Sequence, residues 1–201
     1  MPDDEVPGPR IMVVGERGAG KTTLIKTLVN WRTREVWAKS GGKGGAANGG
    51  GVVVVNLDVG EGGCTMPGTL SLSSVNSLLP TTTPVCPLGT AISSGPPVPF
   101  PAPSSNDWYP NSAVDAYAPP LSPLVFWHGH LSPTEHAPVY ERLLKNVGRA
   151  LKRKLDEGGV EGWKAGCIVD TPGEWAEKKA MGNVSKAVRA LQGSSWPRFE
   201  T

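Results

Sequence analysis

The feature that most constrains this chain is a glycine-rich turn that directly follows a short apolar run. The segment GERGAGKT (15–22) matches the pattern G-x-x-x-x-G-K-[ST] and comes after IMVV (11–14). A turn of this kind wraps backbone N–H groups around phosphates, and the helix that it opens adds positive potential at its N terminus. The pattern therefore predicts a P-loop that binds a nucleotide, with a strand before it and a helix beginning at Lys21.

Each residue type in the loop has its own task. Lys21 is expected to reach the β and γ phosphates, and the Thr22 hydroxyl is expected to hold Mg²⁺. The residues predicted to bind the nucleotide are Gly15, Gly18, Ala19, Gly20, Lys21, Thr22 and Thr23.

Hydrophobic patterns around the loop predict the fold class. Unbroken apolar runs are typical of strands that are covered on both faces of a parallel sheet, and they occur here at Ile11–Val14, Val52–Val55, Leu124–Trp127 and Ala165–Val169. Helical spacing begins at Lys21 and again over about Val139–Leu155. We therefore predict an α/β fold of the P-loop NTPase type, a layered parallel sheet with helices on both faces.

Long segments of biased composition interrupt these patterns. Residues 40–51 are mostly glycine, and residues 79–123 are rich in proline and serine and contain neither Lys nor Arg. Such stretches bury too little apolar surface to offset the entropy of ordering them. The predicted organisation is a disordered tail over 1–9 and a partial P-loop domain over 10–201, interrupted by a flexible loop (40–51) and a disordered insertion (79–123).

Composition narrows the cellular setting. No apolar stretch is long enough to span a membrane, and the acidic, proline-containing N terminus lacks the basic and apolar regions of a secretion signal. The three cysteines have no CxxC spacing, which argues against a disulfide framework or a thiolate metal site. We expect an intracellular protein with no membrane partner.

Two carboxylates are candidates for the metal side of the site. Asp58 follows the run beginning at Val52, in NLDVGEG, and Asp170 follows the last predicted strand, in DTPG. DTPG is similar to a GTPase switch motif, so a GTPase is one interpretation. No N-K-x-D tetrapeptide, which reads guanine, occurs in the chain.

Four segments carry a more specific resemblance. The segments at 8–24, 52–71, 123–135 and 166–175 resemble, in order, the central domain of the polynucleotide 5′-hydroxyl kinase family. They are most similar to its branch of mRNA cleavage-and-polyadenylation factors, and the chain looks like a fragment of such a protein. The resemblance implies ATP and Mg²⁺ as cofactors, RNA 5′ ends and subunits of a 3′-end processing complex as partners, and a nuclear location.

The same resemblance assigns roles to individual residues. Lys21 and Asp58 would be catalytic, and Thr22 and Asp58 would bind the metal. Thr171 and Trp175 match a family motif called the RNA clasp, whose indole stacks on a terminal base. The implied reaction is transfer of the γ-phosphate of ATP to an RNA 5′-hydroxyl.

Several positions depart from kinase-active relatives. Asn56 stands where those relatives tend to have Asp, Glu61 stands where they have Gln, and Glu174 is inserted in the clasp motif. Nothing in the sequence resembles the family's later lid arginines. A catalytically inactive, ATP-bound scaffold subunit is therefore the alternative to a kinase.

The second predicted helix is strongly basic. Between Pro138 and Leu155 it carries six cations against one acid, Glu141. It is interpreted either as a phosphate-tracking RNA surface or as the solvated face of an amphipathic helix.

Overall fold

The computed structural model describes residues 8–39, 52–75, 78–79, 88, 123–157, 166–177 and 181–192. Its strands are β1 (Arg10–Val13), β2 (Val52–Asn56), β3 (Thr69–Val75), β4 (Leu124–Trp127) and β5 (Cys167–Asp170). Its α-helices are α1 (Lys21–Lys39), α2 (Ala137–Glu157) and α3 (Met181–Gln192), and a short 3₁₀ helix spans Gly173–Ala176.

The strands form one sheet in the order β1-β5-β2-β3-β4. The first three are parallel, whereas β3 runs antiparallel to β2 and to β4. The predicted α/β sheet is confirmed, but its parallel character stops at β2. The link from β2 to β3 has no crossover helix, and without one the next strand pairs antiparallel.

Helices cover both faces of the sheet, as predicted. Along β2, Val53 and Val55 pack against α2 and α3, while Val52 and Val54 pack against α1. Every residue of β2 and β5 is buried. The unbroken apolar runs follow from this double coverage.

The strand β4 differs from its prediction. It was expected to be covered on both faces, yet it is the outer strand of the sheet, and Leu124, Val125 and Trp127 are exposed. An apolar run reports low polarity and does not reveal whether a neighbouring layer covers it. The strand β1 is also an edge strand, and Val14 lies just beyond its end.

The strand β3 and the helix α3 were not among the predicted strands and helices. The strand β3 mixes serine and threonine with its apolar residues, and all but one of its residues are buried. The helix α3 packs closely across α2. At Gly148 the two helices are so close that an added Cβ would clash with the Ala190 carbonyl oxygen. Glycine at this position lets the two helix backbones approach.

Most of the biased segments lie outside the described residues. This holds for 1–7 of the predicted tail, for all of 40–51, and for 79–123 apart from Leu79, Leu88 and Pro123. Leu79 and Leu88 are buried in the core beside α1. The Asn30 side chain holds the Leu79 backbone from both sides, with hydrogen bonds of 2.9 and 2.7 Å.

Among the described residues, no helix is both long enough and apolar enough to cross a membrane.

Candidate nucleotide site

The P-loop joins β1 to α1 at the carboxyl edge of the parallel strands. Gly18 and Gly20 have φ angles of +79° and +80°, a region that L side chains rarely adopt. A Cβ added to either residue would have no atom within 4 Å. Glycine is therefore needed here for backbone conformation, and the space beside the loop is open to a ligand.

Lys21 lies under this loop. Its side chain is buried, and Nζ donates to the Glu16 carbonyl oxygen at 3.1 Å. The ammonium therefore bonds to the first turn of the loop that would surround a phosphate.

Thr22 faces the end of β5. Its hydroxyl lies 3.3 Å from Asp170 Oδ2 and 3.5 Å from Glu61 Oε2. The other oxygen of Asp170 accepts from the Thr171 N–H at 2.9 Å. The β1–β5 pairing carries this carboxylate to the P-loop, so residues far apart in sequence meet at one edge.

Asp58 lies in the turn after β2, where the backbone orients its side chain. Its Oδ1 accepts from the Gly60 N–H at 2.8 Å. The Asn56 amide is fully buried and bonds to the Asp58 backbone in both directions, at 3.1 and 3.2 Å. Tyr140 adds a further support, because its hydroxyl donates to the Leu57 carbonyl oxygen at 2.8 Å.

Burial makes both aspartates hard to ionise. It raises the pKa of Asp170 to about 6, with a further contribution from the negative charge of Asp58, against the opposing effects of Lys21 and Thr22. Burial also raises the pKa of Asp58, and the N–H of Gly60 partly opposes the rise. A cation bound between these carboxylates would relieve this cost.

The donor set fits Mg²⁺. A hydroxyl and carboxylate oxygens are the hard ligands that Mg²⁺ prefers, and it usually takes one or two carboxylates together with phosphate and water oxygens. Within the described ranges, no group of three or more His, Cys, Asp or Glu side chains is placed to hold a metal by itself. A Mg²⁺ ion here would depend on the nucleotide for its remaining ligands.

The predicted clasp does not fit this arrangement. Trp175 is 1% exposed and packs edge to face against Tyr140, and Thr171 is fully buried with its hydroxyl donating to the Val13 carbonyl oxygen at 2.7 Å. A side chain without exposed surface offers no face to a base. Both residues act as packing groups that join β5 to the core, and the motif match did not reveal their burial.

Asp170 is one of the two carboxylates that the sequence offers for the metal side, because it follows a strand of the parallel sheet, and the structure places it against Thr22. The residues that the structure brings together are therefore the loop 15–20, Lys21, Thr22, Asp58 and Asp170.

The comparisons with known proteins agree with this geometry. The family described as "mRNA cleavage and polyadenylation factor CLP1 P-loop" matches residues 15–88, which include the loop and Asp58. A factor of that name from Laccaria bicolor is 34% identical over 181 residues, which is 87% of this chain and 31% of the relative. The chain belongs to the CLP1 family.

Other CLP1 relatives extend the comparison. The factor from Pyricularia oryzae is 32% identical over 166 residues, covering 82% of this chain and 29% of its own length. The protein called CLP1 homolog from Arabidopsis thaliana is 27% identical over 170 residues, covering 85% and 28%. The chain thus spans about a third of the length of the CLP1 relatives that it matches.

A solved structure shows the same fold. A Clp1p–Pcf11p complex contains a chain that superposes with a TM-score of 0.66 at 20% identity, over 94% of this chain and 36% of that one. This CLP1 chain therefore has the P-loop α/β fold that its sequence predicted.

Proposed function

We propose that this CLP1 chain binds ATP and Mg²⁺ and acts in mRNA 3′-end cleavage and polyadenylation in the nucleus. The observation that carries the proposal is the placement of Thr22 against Asp170, beside the buried Lys21. Relatives named as mRNA cleavage and polyadenylation factors supply the process.

The residues of the site have separable tasks. The backbone N–H groups of 15–20 and the N terminus of α1 would bind the phosphates, with Lys21 exchanging its loop carbonyl for a phosphate oxygen. Thr22, Asp170 and Asp58 would hold Mg²⁺, which neutralises charge on the phosphates when bound. Tyr140 and Asn56 keep the Asp58 turn in place.

Phosphoryl transfer to an RNA 5′-hydroxyl is the reaction that we assign to this site. Asp58 is oriented by the Gly60 N–H, and burial raises its pKa, which suits a group that accepts a hydroxyl proton. Positioning and charge neutralisation would supply most of the catalysis.

A scaffold that holds ATP without turnover is the second candidate. Two observations favour it: the Asn56 amide is committed to backbone bonds, and Trp175 is buried and so has no exposed ring face on which a base could stack. In this role bound ATP stabilises the folded domain, by about 2.7 kcal/mol at 100 times its Kd.

Protein partners belong to the same proposal. The similar solved structures are described as Clp1p bound to Pcf11p, and one as explaining ATP loss in a point mutant. We infer that this chain also binds subunits of a 3′-end processing complex.

A thermal-shift comparison of ATP, GTP and no nucleotide, each with Mg²⁺, tests the site first. We expect ATP to raise the Tm of the wild type and to have no effect on Lys21→Ala. Stabilisation by GTP and not by ATP would favour the GTPase interpretation instead.

Transfer of labelled γ-phosphate to a 5′-hydroxyl oligonucleotide then separates kinase from scaffold. We expect label to appear with the wild type and to be lost in Asp58→Asn. Binding of ATP without transfer would leave the scaffold as the function.

A further inference from the structure

The helix α2 presents a row of cations on its outer face. The basic stripe consists of Arg142, Lys145, Arg149, Lys152 and Arg153, all exposed. Their spacing of three, four, three and one residues keeps them on one side of the helix, over about 16 Å. The opposite face, which includes Tyr140, Leu144, Val147 and Leu151, is buried in the core.

The stripe is not neutralised within the described part of the chain. None of the ion pairs found there includes a stripe residue. Two acids of the same helix have partners outside the stripe: Glu141 pairs with Lys186, although its charge also acts on Lys145, and Asp156 interacts with Arg10. Five positive charges therefore face solvent together.

Helix stability does not account for this row. Like charges three and four residues apart repel one another, so the stripe costs α2 stability. Cations stabilise a helix through its dipole only within the last turn. The stripe residues all lie before that turn, whose basic residue is Lys154, so the dipole does not explain them.

The helix that carries the stripe is attached to the nucleotide site at its start. Tyr140, two residues before Arg142, donates to the carbonyl of Leu57, the residue that precedes Asp58. The start of α2 is thus fixed to the Asp58 turn, and the stripe leads away from it along the helix.

We propose that the basic stripe binds the phosphate backbone of single-stranded RNA whose 5′ end reaches the nucleotide site. The inference rests on the proposed function, and it identifies the surface that binds the part of the RNA beyond its 5′ end. Regularly spaced cations match a regularly charged polymer, and Asn146 is the one uncharged side chain among them on this face. A protein partner would instead need apolar anchors, which the stripe lacks.

The test measures RNA affinity of the full chain. The probe is a fluorescent 5′-hydroxyl RNA of about 12 nucleotides, enough for one binding surface, followed by anisotropy across a salt series. We compare Arg149→Glu, in the middle of the stripe, with Arg189→Glu on α3, because both change the charge by the same amount at an exposed helical site.

We expect Arg149→Glu to weaken RNA binding at least tenfold and Arg189→Glu to change it less than twofold. The neutral variant Arg149→Gln should lower the slope of log affinity against log salt by about 0.7, the value for one contact to single-stranded nucleic acid. Unchanged affinity in Arg149→Glu, or equal losses in the two reversal variants, would overturn the proposal. Displacement of the RNA by a poly-glutamate peptide, at the same concentration of negative charges as the RNA, would also overturn the proposal.

Thermal shift with ATP keeps this inference separate from the proposed function. Stripe variants should retain stabilisation by ATP, while Lys21→Ala should lose it and still bind RNA. Normal RNA binding by a wild type that ATP does not stabilise would remove the proposed function and support the stripe.

Discussion

The Tyr140 hydroxyl reaches from α2 to the Leu57 carbonyl oxygen, 2.8 Å away, and so ties the helix to the turn that carries Asp58. Tyr140→Phe removes this donor and keeps the ring. We expect the free energy of unfolding to fall by about 1 to 2 kcal/mol, because a buried carbonyl loses its partner. Urea denaturation measures the change, and ATP affinity should fall as well because the Asp58 turn loosens.

Tyr140→Leu provides the comparison for that change. It should cost more than Tyr140→Phe, since the contacts with the Trp175 and His128 rings are lost too. Equal stability of wild type and Tyr140→Phe would show that the hydrogen bond does not support the turn.

Gly173 marks a close contact between the segment after β5 and the P-loop. A Cβ at this position would lie 2.7 Å from the Arg17 backbone nitrogen. Gly173→Ala should therefore displace the loop, costing about 1 to 3 kcal/mol of stability and weakening ATP binding. Isothermal titration with ATP·Mg²⁺ and thermal melting measure the two effects.

The matched control for this substitution is Gly182→Ala. Gly182 lies in α3 with nothing within 4 Å of an added Cβ, and alanine is the better helix former. It should leave ATP binding unchanged and raise stability slightly. Similar ATP affinities of the two variants would contradict the contact's role.

The buried carboxyl of Asp170 predicts a pH dependence in the metal-free protein. Its pKa is raised to about 6, mainly by burial, whereas an unfolded aspartate titrates near 3.9. The folded state therefore holds the proton more tightly. This contribution to stability is fully present below about pH 4 and is lost as the pH rises through 6, a change on the order of 3 kcal/mol.

Chemical denaturation in EDTA at several pH values measures this effect as the difference between wild type and Asp170→Asn. We expect the variant to gain stability relative to the wild type as the pH rises from 4 to 7. It should also bind Mg²⁺·ATP more weakly. A difference that stays constant with pH would refute the assignment.

Asn56 tests why this chain departs from kinase-active relatives. Its amide donates to the Asp58 carbonyl, and in the sheet it pairs with Asp170. Asn56→Asp would remove that donor and place a third carboxylate near two others. We expect a loss of about 1 to 3 kcal/mol at pH 8 and a smaller loss at pH 5, where carboxylates take up protons.

The amide-to-acid change Asn183→Asp, on a half-buried position of α3, controls for the substitution itself and should have a small effect. A phosphate-transfer assay on Asn56→Asp completes the experiment. No loss of stability would mean that this position tolerates the residue of kinase-active relatives.

The P-loop and the central strands could be predicted because their signals are local. Glycine is needed at positions 18 and 20 because their φ angles are positive. The positions of β2 are occupied by valine because helices cover both faces of this strand. The position of Asp170 against Thr22 could not be read in the same way, because it depends on β5 pairing with β1. The burial of Trp175 depends likewise on α2, and a motif match carries no information about packing.

The strand β5 lies between β1 and β2 in the sheet, although it is the last of the described strands along the chain. On the ribosome, where N-terminal parts emerge first, β1 and β2 have no shared neighbour until residue 170 has left the exit tunnel. The intervening insertion adds little to the final entropic cost, since each doubling of a loop costs only about 0.6 kcal/mol. The length of the insertion instead sets the time for which the apolar strands β1 and β2 wait for β5. During that time they have to be protected either by chaperones or by contact with one another.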